Sequence, residues 1–335
     1  MEQPTTGKCP GGVYLTFCIN MCTIITAMQK VTLLVLLSLC LTQCNNHDIQ
    51  KQYTNDGFAK AMVEFTPYNN NPVFAGTGTD TWDKNIRERG YILKEDSLYH
   101  MWYTGYTDTS DIKYLGYATS VDGISWTRYK DNPIYNIGWV EDMCVLKVDS
   151  VYYMYAEGRG DTAHLLTSTD RIHWIEQGNL DIRQKSGAPI SKGPFGTPFV
   201  LKEKDDWYLF YERDDLGIWL AKSTNGKVWT NVQDEPVLKM GPESYDKFAV
   251  AMNQVIKYDG KYYGFYHGSA FKDWHEWTIN VAVSDDLIHW KKYAKNPIVG
   301  PDKSSGILVN DGKGYRLYAM HPEVNLYLPA VDSIR

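Results

Sequence analysis

Five segments of this chain repeat one pattern, an apolar strand, a polar turn and an aromatic strand, and that recurrence restricts the possible folds more than any other feature. They are GYILKEDSLYHMWYTGY from Gly90, MCVLKVDSVYYMYAEGR from Met143, TPFVLKEKDDWYLFYER from Thr197, NQVIKYDGKYYGFYHGS from Asn253 and SGILVNDGKGYRLYAMH from Ser305, with starting points 52 to 56 residues apart. Each is rich in Val, Ile, Tyr and Trp at period two around its turn, which is the pattern of a hairpin. A second phrase follows: after the first hairpin come YLGYATS, the turn VDG and SWTRY, and the frame of Ser, turn and Trp returns from Ser223 and Ser284. Each unit therefore reads as a four-stranded antiparallel meander. Units of this length and strand count predict an all-β, five-bladed β-propeller.

The register also predicts how the ring closes. Trp126, Trp229 and Trp290 each stand six residues before Asn132, Glu235 and Asn296, which precede Pro133, Pro236 and Pro297; Trp174 reaches Leu180 without a Pro. Phe65 stands six before Asn71-Pro72, although no blade precedes it. The N-terminal stretch AMVEFTPY should therefore be the outer strand of the last blade. In the recurring turns, Ser and Asp are expected to bond backbone amides, and Trp to pack between neighbouring blades.

Residues 1–44 differ in kind. Met28, Lys30 and the apolar run VTLLVLLSLCL resemble an export signal, too short to span a bilayer, with Met28 a possible true start. LTQC, ending at Cys44, is similar to a bacterial lipobox apart from Gln43, so lipidation of Cys44 is expected, with an ordinary cleaved signal as the alternative. The expected division is leader 1–44, linker 45–56 and propeller domain 57–335. The expected location is a bacterial membrane face towards the periplasm or cell surface, or the periplasm. Five of the six cysteines lie in the leader, so Cys144 can form neither an internal disulfide nor a cysteine metal site in the body.

With 43% hydrophobic residues the chain can fill a large core, and a net charge of −6 without long runs of like charge argues against a nucleic-acid partner. No HExxH, P-loop, GxSxG or EF-hand spacing occurs, and neither cofactor nor metal is expected. The chain is read as a monomer that meets the membrane only through its lipid.

In a propeller the inner-strand starts and the second-strand ends share one face, because those strands run antiparallel. The starts bring Glu88 and Arg89, Glu141 and Asp142, Gly196 and Thr197, Asn253 and Gln254, Ser304 and Ser305 to the mouth. The ends add Tyr106, Glu157, Arg159, Glu212, Arg213, Asp214, Asp215, His267 and His321, and loops add Asp83 beside Trp82, Trp139, and Asp246 beside Tyr245. Acids, bases and aromatics on one face suit a carbohydrate: hydroxyls take polar groups, CH faces take Trp or Tyr, and two carboxyls divide acid and base work. Singly, Glu157 or Glu212 could as well pair structurally with Arg159 or Arg213.

The five repeats, the Trp82-Asp83 pair, MWYTG from Met101, GYATSVDGISW from Gly116 and the Asn-Pro punctuation resemble the five-bladed propeller glycoside hydrolases, the superfamily of families 32, 43, 117 and 130. The resemblance covers almost the whole chain after the leader. It implies catalytic carboxylates at the mouths of inner strands. Glu88 stands where an Asp before Pro is common, Asp142 matches by position, and Thr197 and Asn253 stand where acids are usual, so Glu157 and Glu212 are candidates to replace them. The expected activity is glycoside hydrolysis, inverting as these families mostly are, with Asp142 or Glu88 activating water and protonated Glu157 or Glu212 assisting the leaving oxygen. Asp83, Arg89, Tyr106, Trp139, Glu141, Arg159, Arg213, Asp214, Asp246, Asn253, Gln254, His267 and His321 are the expected substrate contacts. The arginines suit either an acidic sugar or neighbouring acids. The alternatives are a phosphorylase, as in part of family 130, and a non-catalytic glycan-binding lipoprotein; a sialidase is disfavoured because its Asp box is one residue longer and its blades number six. Loops 181–196 and 268–277 are expected to wall the pocket and favour exo action.

Overall fold

A computed structural model describes residues 52–109 and 112–330; the leader with Cys44 lies outside these. Residues 55–330 lie within one compact unit built of five antiparallel four-stranded sheets. Blade I comprises Asn85–Glu95, Leu98–Tyr106, Tyr114–Ser120 and Thr127–Arg128, and blade II comprises Glu141–Val148, Val151–Gly158, Thr162–Ser168 and Ile175–Asn179. Blade III holds Gly196–Glu203, Asp206–Glu212, Gly217–Ser223 and Val228–Asn231; blade IV holds Ala249–Tyr258, Lys261–Ser269, Thr278–Ser284 and Trp290–Lys292. Blade V has Ser304–Asn310, Tyr315–His321 and Asn325–Pro329, and Phe65–Pro67 supplies its fourth strand, with Phe65 opposite Pro329. The ring thus closes through the N-terminal strand, as the register of Phe65 requires. Blade III is wider than the repeat suggests: Asp181–Arg183 adds in parallel to Val228–Asn231, and Leu238–Lys239 pairs with Gly217–Ser223.

Second strands such as Leu98–Tyr106 are buried along nearly their whole length, because each is covered by blades on both sides. Full burial of a large apolar side chain contributes about 1.5–3 kcal/mol, which accounts for the aromatic enrichment. Trp174 of blade II packs edge-on to Trp102 of blade I at 6.1 Å, Trp229 meets Tyr155 at 5.8 Å and Trp290 meets Phe210 at 6.0 Å. Trp126 instead packs on Tyr99 of its own blade.

The turn residues behave as their chemistry dictates. Ser120 Oγ accepts from the Gly123 amide and Asp122 Oδ1 from the amides of Ile124 and Ser125, and the arrangement returns at Ser168-Asp170, Ser223-Asn225 and Ser284-Asp286. The Asn before Pro acts as a short strand. Asn132 accepts from the Tyr117 amide at 3.0 Å and donates to its carbonyl at 2.9 Å; Asn296 does the same for Val281 and Asn71 for Leu326. Each side-chain amide satisfies a backbone pair where the outer strand has ended.

Towards the mouth, the inner strands of blades I to IV break register, between Arg87 and Tyr91, Glu141 and Cys144, Gly196 and Phe199, and Met252 and Gln254. Asp142, Thr197 and Ser305 take the left-handed conformation, with φ of 44°, 43° and 58°. For a β-branched residue such as Thr197 this is a costly geometry. A bulge re-aims side chains at a strand end, and here the bulges of blades II and III turn Asp142 and Thr197 into the axial pocket, where Ser305 of blade V joins them.

Candidate active site

The pocket occupies the mouth of the propeller axis, a cavity of about 230 Å³. Its floor follows from strand pairing: Glu157 stands opposite Glu141, Glu212 opposite Gly196, His267 opposite Ala251 and His321 opposite Ser304. Equivalent positions of four blades thus present two acids and two histidines to one cavity, joined by Asp142 and Thr197 from the bulges and by Ser305 of blade V.

Gly196 lets the acids approach. A Cβ at that position would lie 2.2 Å from Glu157 Oε2 and 2.6 Å from Glu212 Oε1, so these oxygens are themselves within about 5 Å of each other. Glu157 Oε2 accepts from the Thr197 amide at 2.7 Å and from its hydroxyl at 3.3 Å. Glu212 accepts from the Gly196 amide at 2.9 Å through Oε1 and from the Asp215 amide at 2.6 Å through Oε2. Glu157 Oε1 has no protein partner among the described residues, whereas Glu212 has both oxygens engaged.

Burial drives the electrostatics. It pushes Glu157 well above the usual carboxylate range, reinforced by Asp142, Glu141 and Glu212. Burial and then Asp215 push Glu212 up to about 8, and burial with Asp142, Asp161 and Asp214 pushes Asp215 up to about 7. Burial lowers His267 and His321 to about 4, so both rings are neutral at pH 7. His267 Nε2, 3.9 Å from Asp215, therefore makes no ion pair there, and its Nδ1 is fixed by Asn253 Nδ2 at 3.0 Å.

Arg89 is wholly buried and lies beneath this floor. Its guanidinium donates to the carbonyls of Met143, Met252, Asn253, Asp142 and Pro198, tying the inner strands of blades II, III and IV to that of blade I. Its backbone amide donates to Asp142 Oδ1 at 2.9 Å. Arg89 is thus a positioning residue and does not reach the cavity.

Of the residues expected at the mouth, Asp142, Glu157, Glu212, Glu141, Asp214, His267 and His321 line the pocket. Others do not, each for a visible reason. Asp83 is buried against Arg128 and Tyr103, and Asp246 against Lys292 and Tyr266. Gln254 pairs with both backbone groups of Leu308, and Asn253 stands behind His267. Arg213 is held by Ser191 and the Pro194 carbonyl, so it braces the 181–196 loop. Tyr106 lies under the Lys113 ammonium at 3.7 Å, and Trp139 and Arg159 line a neighbouring groove. Glu88 falls within the first bulge, and its side chain lies outside the described residues.

Sequence reasoning missed Asp161, Arg87, Trp274 and Trp277 as individual pocket residues and left Asp215 without a role. Asp215 follows a second-strand end, where the register rule already pointed. Trp274 and Trp277 belong to the 268–277 loop, whose length signalled a wall but not which residues face inward; Trp277 meets the His267 ring edge-on at 4.9 Å.

No protein-family model matches the chain. It is 23% identical over 227 residues to the 1,2-beta-oligomannan phosphorylase of Thermoanaerobacter sp. (strain X514), covering 62% of this chain and 73% of that protein. Beta-1,2-mannobiose phosphorylase from Listeria innocua, solved with beta-1,2-mannobiose, has a TM-score of 0.63 at 14% identity, covering 80% of this chain and 98% of the other. A structure from work on glycoside hydrolases within the GH130 family of mannoside phosphorylases, which target beta-1,2 mannosidic linkages in Candida mannan, has a TM-score of 0.60 at 14% identity, covering 80% and 96%. The chain is a five-bladed β-propeller with the fold of the propeller glycoside hydrolases and mannoside phosphorylases.

Proposed function

We propose that the protein is a glycoside hydrolase that cleaves β-1,2-linked manno-oligosaccharides in the axial pocket by single displacement with water. The observation that carries hydrolysis is charge. The lining holds seven carboxyl groups, Glu141, Asp142, Glu157, Asp161, Glu212, Asp214 and Asp215, against one guanidinium, Arg87, and two histidines held neutral. Even with Glu157 and Glu212 neutral, five acidic side chains remain beside one guanidinium, so a phosphate dianion entering among them would be repelled at close range, whereas water and sugar hydroxyls would not. The names of the relatives support the mannoside class.

Glu157 is the proton donor in this reading. Burial and the neighbouring acids favour its protonated form, and its Oε1 is left for the leaving oxygen. Glu212 is also held protonated at neutral pH, and the Glu157 and Glu212 oxygens, within about 5 Å, stand closer than the roughly 6.5–9.5 Å that accommodates a water. We assign the activation of water to Asp142, which the Arg89 amide fixes and the bulge of blade II brings to the pocket lining. Glycan binding without turnover, the non-enzymatic alternative, would leave this pairing of protonated and fixed carboxyls unused.

Incubation with β-1,2-mannobiose, with and without inorganic phosphate, tests the reading. Free mannose with inverted configuration in phosphate-free buffer is expected; strict phosphate dependence with mannose 1-phosphate as product would assign a phosphorylase instead. Export and lipidation at Cys44 are further proposals, resting on the leader sequence: Cys44→Ala is expected to move the protein from the membrane fraction to the soluble one.

A further inference from the structure

We propose that the groove at the junction of blades I and II is a second carbohydrate-binding site, holding sugars of the oligosaccharide beyond the residue bound at the axis. The inference rests on the glycosidase reading and extends it to chain length. The groove measures about 510 Å³, against about 230 Å³ for the axial pocket, and nothing in the proposed chemistry uses it.

One hairpin end forms the wall between the two cavities. Glu157 and Asp161 line the axial pocket, while Gly158, Arg159 and Thr162 line the groove. A second link crosses from the opposite side: Trp139 lines the groove, and its Nε1 donates to Glu141 Oε1 of the pocket at 2.6 Å. A glycan leaving the axial pocket over the 158–162 turn enters the groove directly.

The lining has the chemistry a sugar chain requires. Trp139 offers an aromatic surface, and Ile137 beside it is 84% exposed, an apolar rim in contact with water. Arg159 is exposed; its guanidinium stands 5.2 Å from the Trp139 ring and has no carboxylate partner among the described residues, which leaves its donors for hydroxyls. Asn179 adds an amide. At the floor, His164 is buried with Nδ1 on Glu176 at 2.9 Å, and its Nε2 has no partner among the described residues. A buried polar atom left unsatisfied beneath a groove is a feature that a bound hydroxyl or water would complete.

Calorimetric titration of the full chain with β-1,2-mannobiose and β-1,2-mannotetraose, in a Glu157→Gln background throughout so that neither sugar is cleaved, tests the inference. Trp139 is avoided because its indole also holds Glu141; Arg159→Ala combined with Asn179→Ala removes exposed groove contacts alone. With the groove unaltered, the tetraose is expected to bind about tenfold more tightly than the biose, a ratio that one stacked, hydrogen-bonded sugar supplies. In the double variant the ratio should fall to about one while biose affinity is unchanged. Equal affinities with the groove unaltered, or an unchanged ratio in the variant, would overturn the groove and leave the axial reading intact. Binding of neither sugar would overturn the mannoside reading and the groove together.

Discussion

The two ends of the propeller axis are built from the same inner and second strands and treat buried acids in opposite ways. At the rim away from the pocket, Glu95 of blade I accepts from Lys147 at 2.8 Å, Tyr152 at 2.6 Å and Arg171 at 3.1 Å of blade II. Glu203 of blade III accepts likewise from Lys257 and Tyr262 of blade IV. Partial burial raises both carboxyls, but the hydrogen bonds outweigh it and the net shift is downward. At the mouth, Glu157 and Glu212 receive only backbone amides and one hydroxyl, and burial with neighbouring acids drives them up. The comparison teaches that strand position sends a carboxylate to one rim or the other but does not by itself set its charge state. The presence of a cation across the blade junction sets it: one rim uses its acids to join blades, and the other keeps them chargeable.

The sharpest way to break this comparison is to remove the acids at each end. Glu157→Gln and Asp142→Asn should each lower kcat about a hundredfold or more, with melting curves showing an intact fold. Retained activity in both would take the chemistry away from the mouth. Gly196→Ala should cost about a hundredfold in kcat/KM, because the added methyl would stand 2.2 Å from Glu157 Oε2 and must displace the donor. A kinetic parameter unchanged in that variant would show that Glu157 need not hold its place.

Stability should respond to pH in opposite directions at the two ends. Glu212 is raised to about 8, so its contribution is fully present below the unfolded value near 4.5 and is lost as pH rises through about 8. Glu212→Gln should therefore raise the melting temperature at pH 8 and change it little at pH 5. Glu203 is lowered, so its contribution is present above the unfolded value and is lost as pH falls through the folded one. Glu203→Gln should lower the melting temperature slightly at pH 7, with kcat unchanged and the difference vanishing in acid. This is the smallest effect expected, because its Lys257 partner is half exposed and screened by water.

The fold was legible from the repeats because blades are local. Hairpin spacing, Ser-Asp turns and Asn-Pro ends each act within one unit, and even the closing strand was marked by the register of Phe65. The site was legible where the register rule holds, as for Asp142, Glu157, Glu212, His267 and His321. It failed where a side chain's fate depends on a partner far along the chain. Nothing in RERG shows that Arg89 turns under the floor to carbonyls up to 164 residues away. Likewise Asp246 is consumed by Lys292, and Asp83 by Arg128.

By itself the sequence determined the number of blades, the strand order and the way the ring closes, because period-two burial and turn chemistry are properties of short segments. Only the tertiary structure decided which acids are paired and which are left neutral in the cavity. Pairing and desolvation depend on what the neighbouring blade brings within a few ångströms, and no single repeat encodes that.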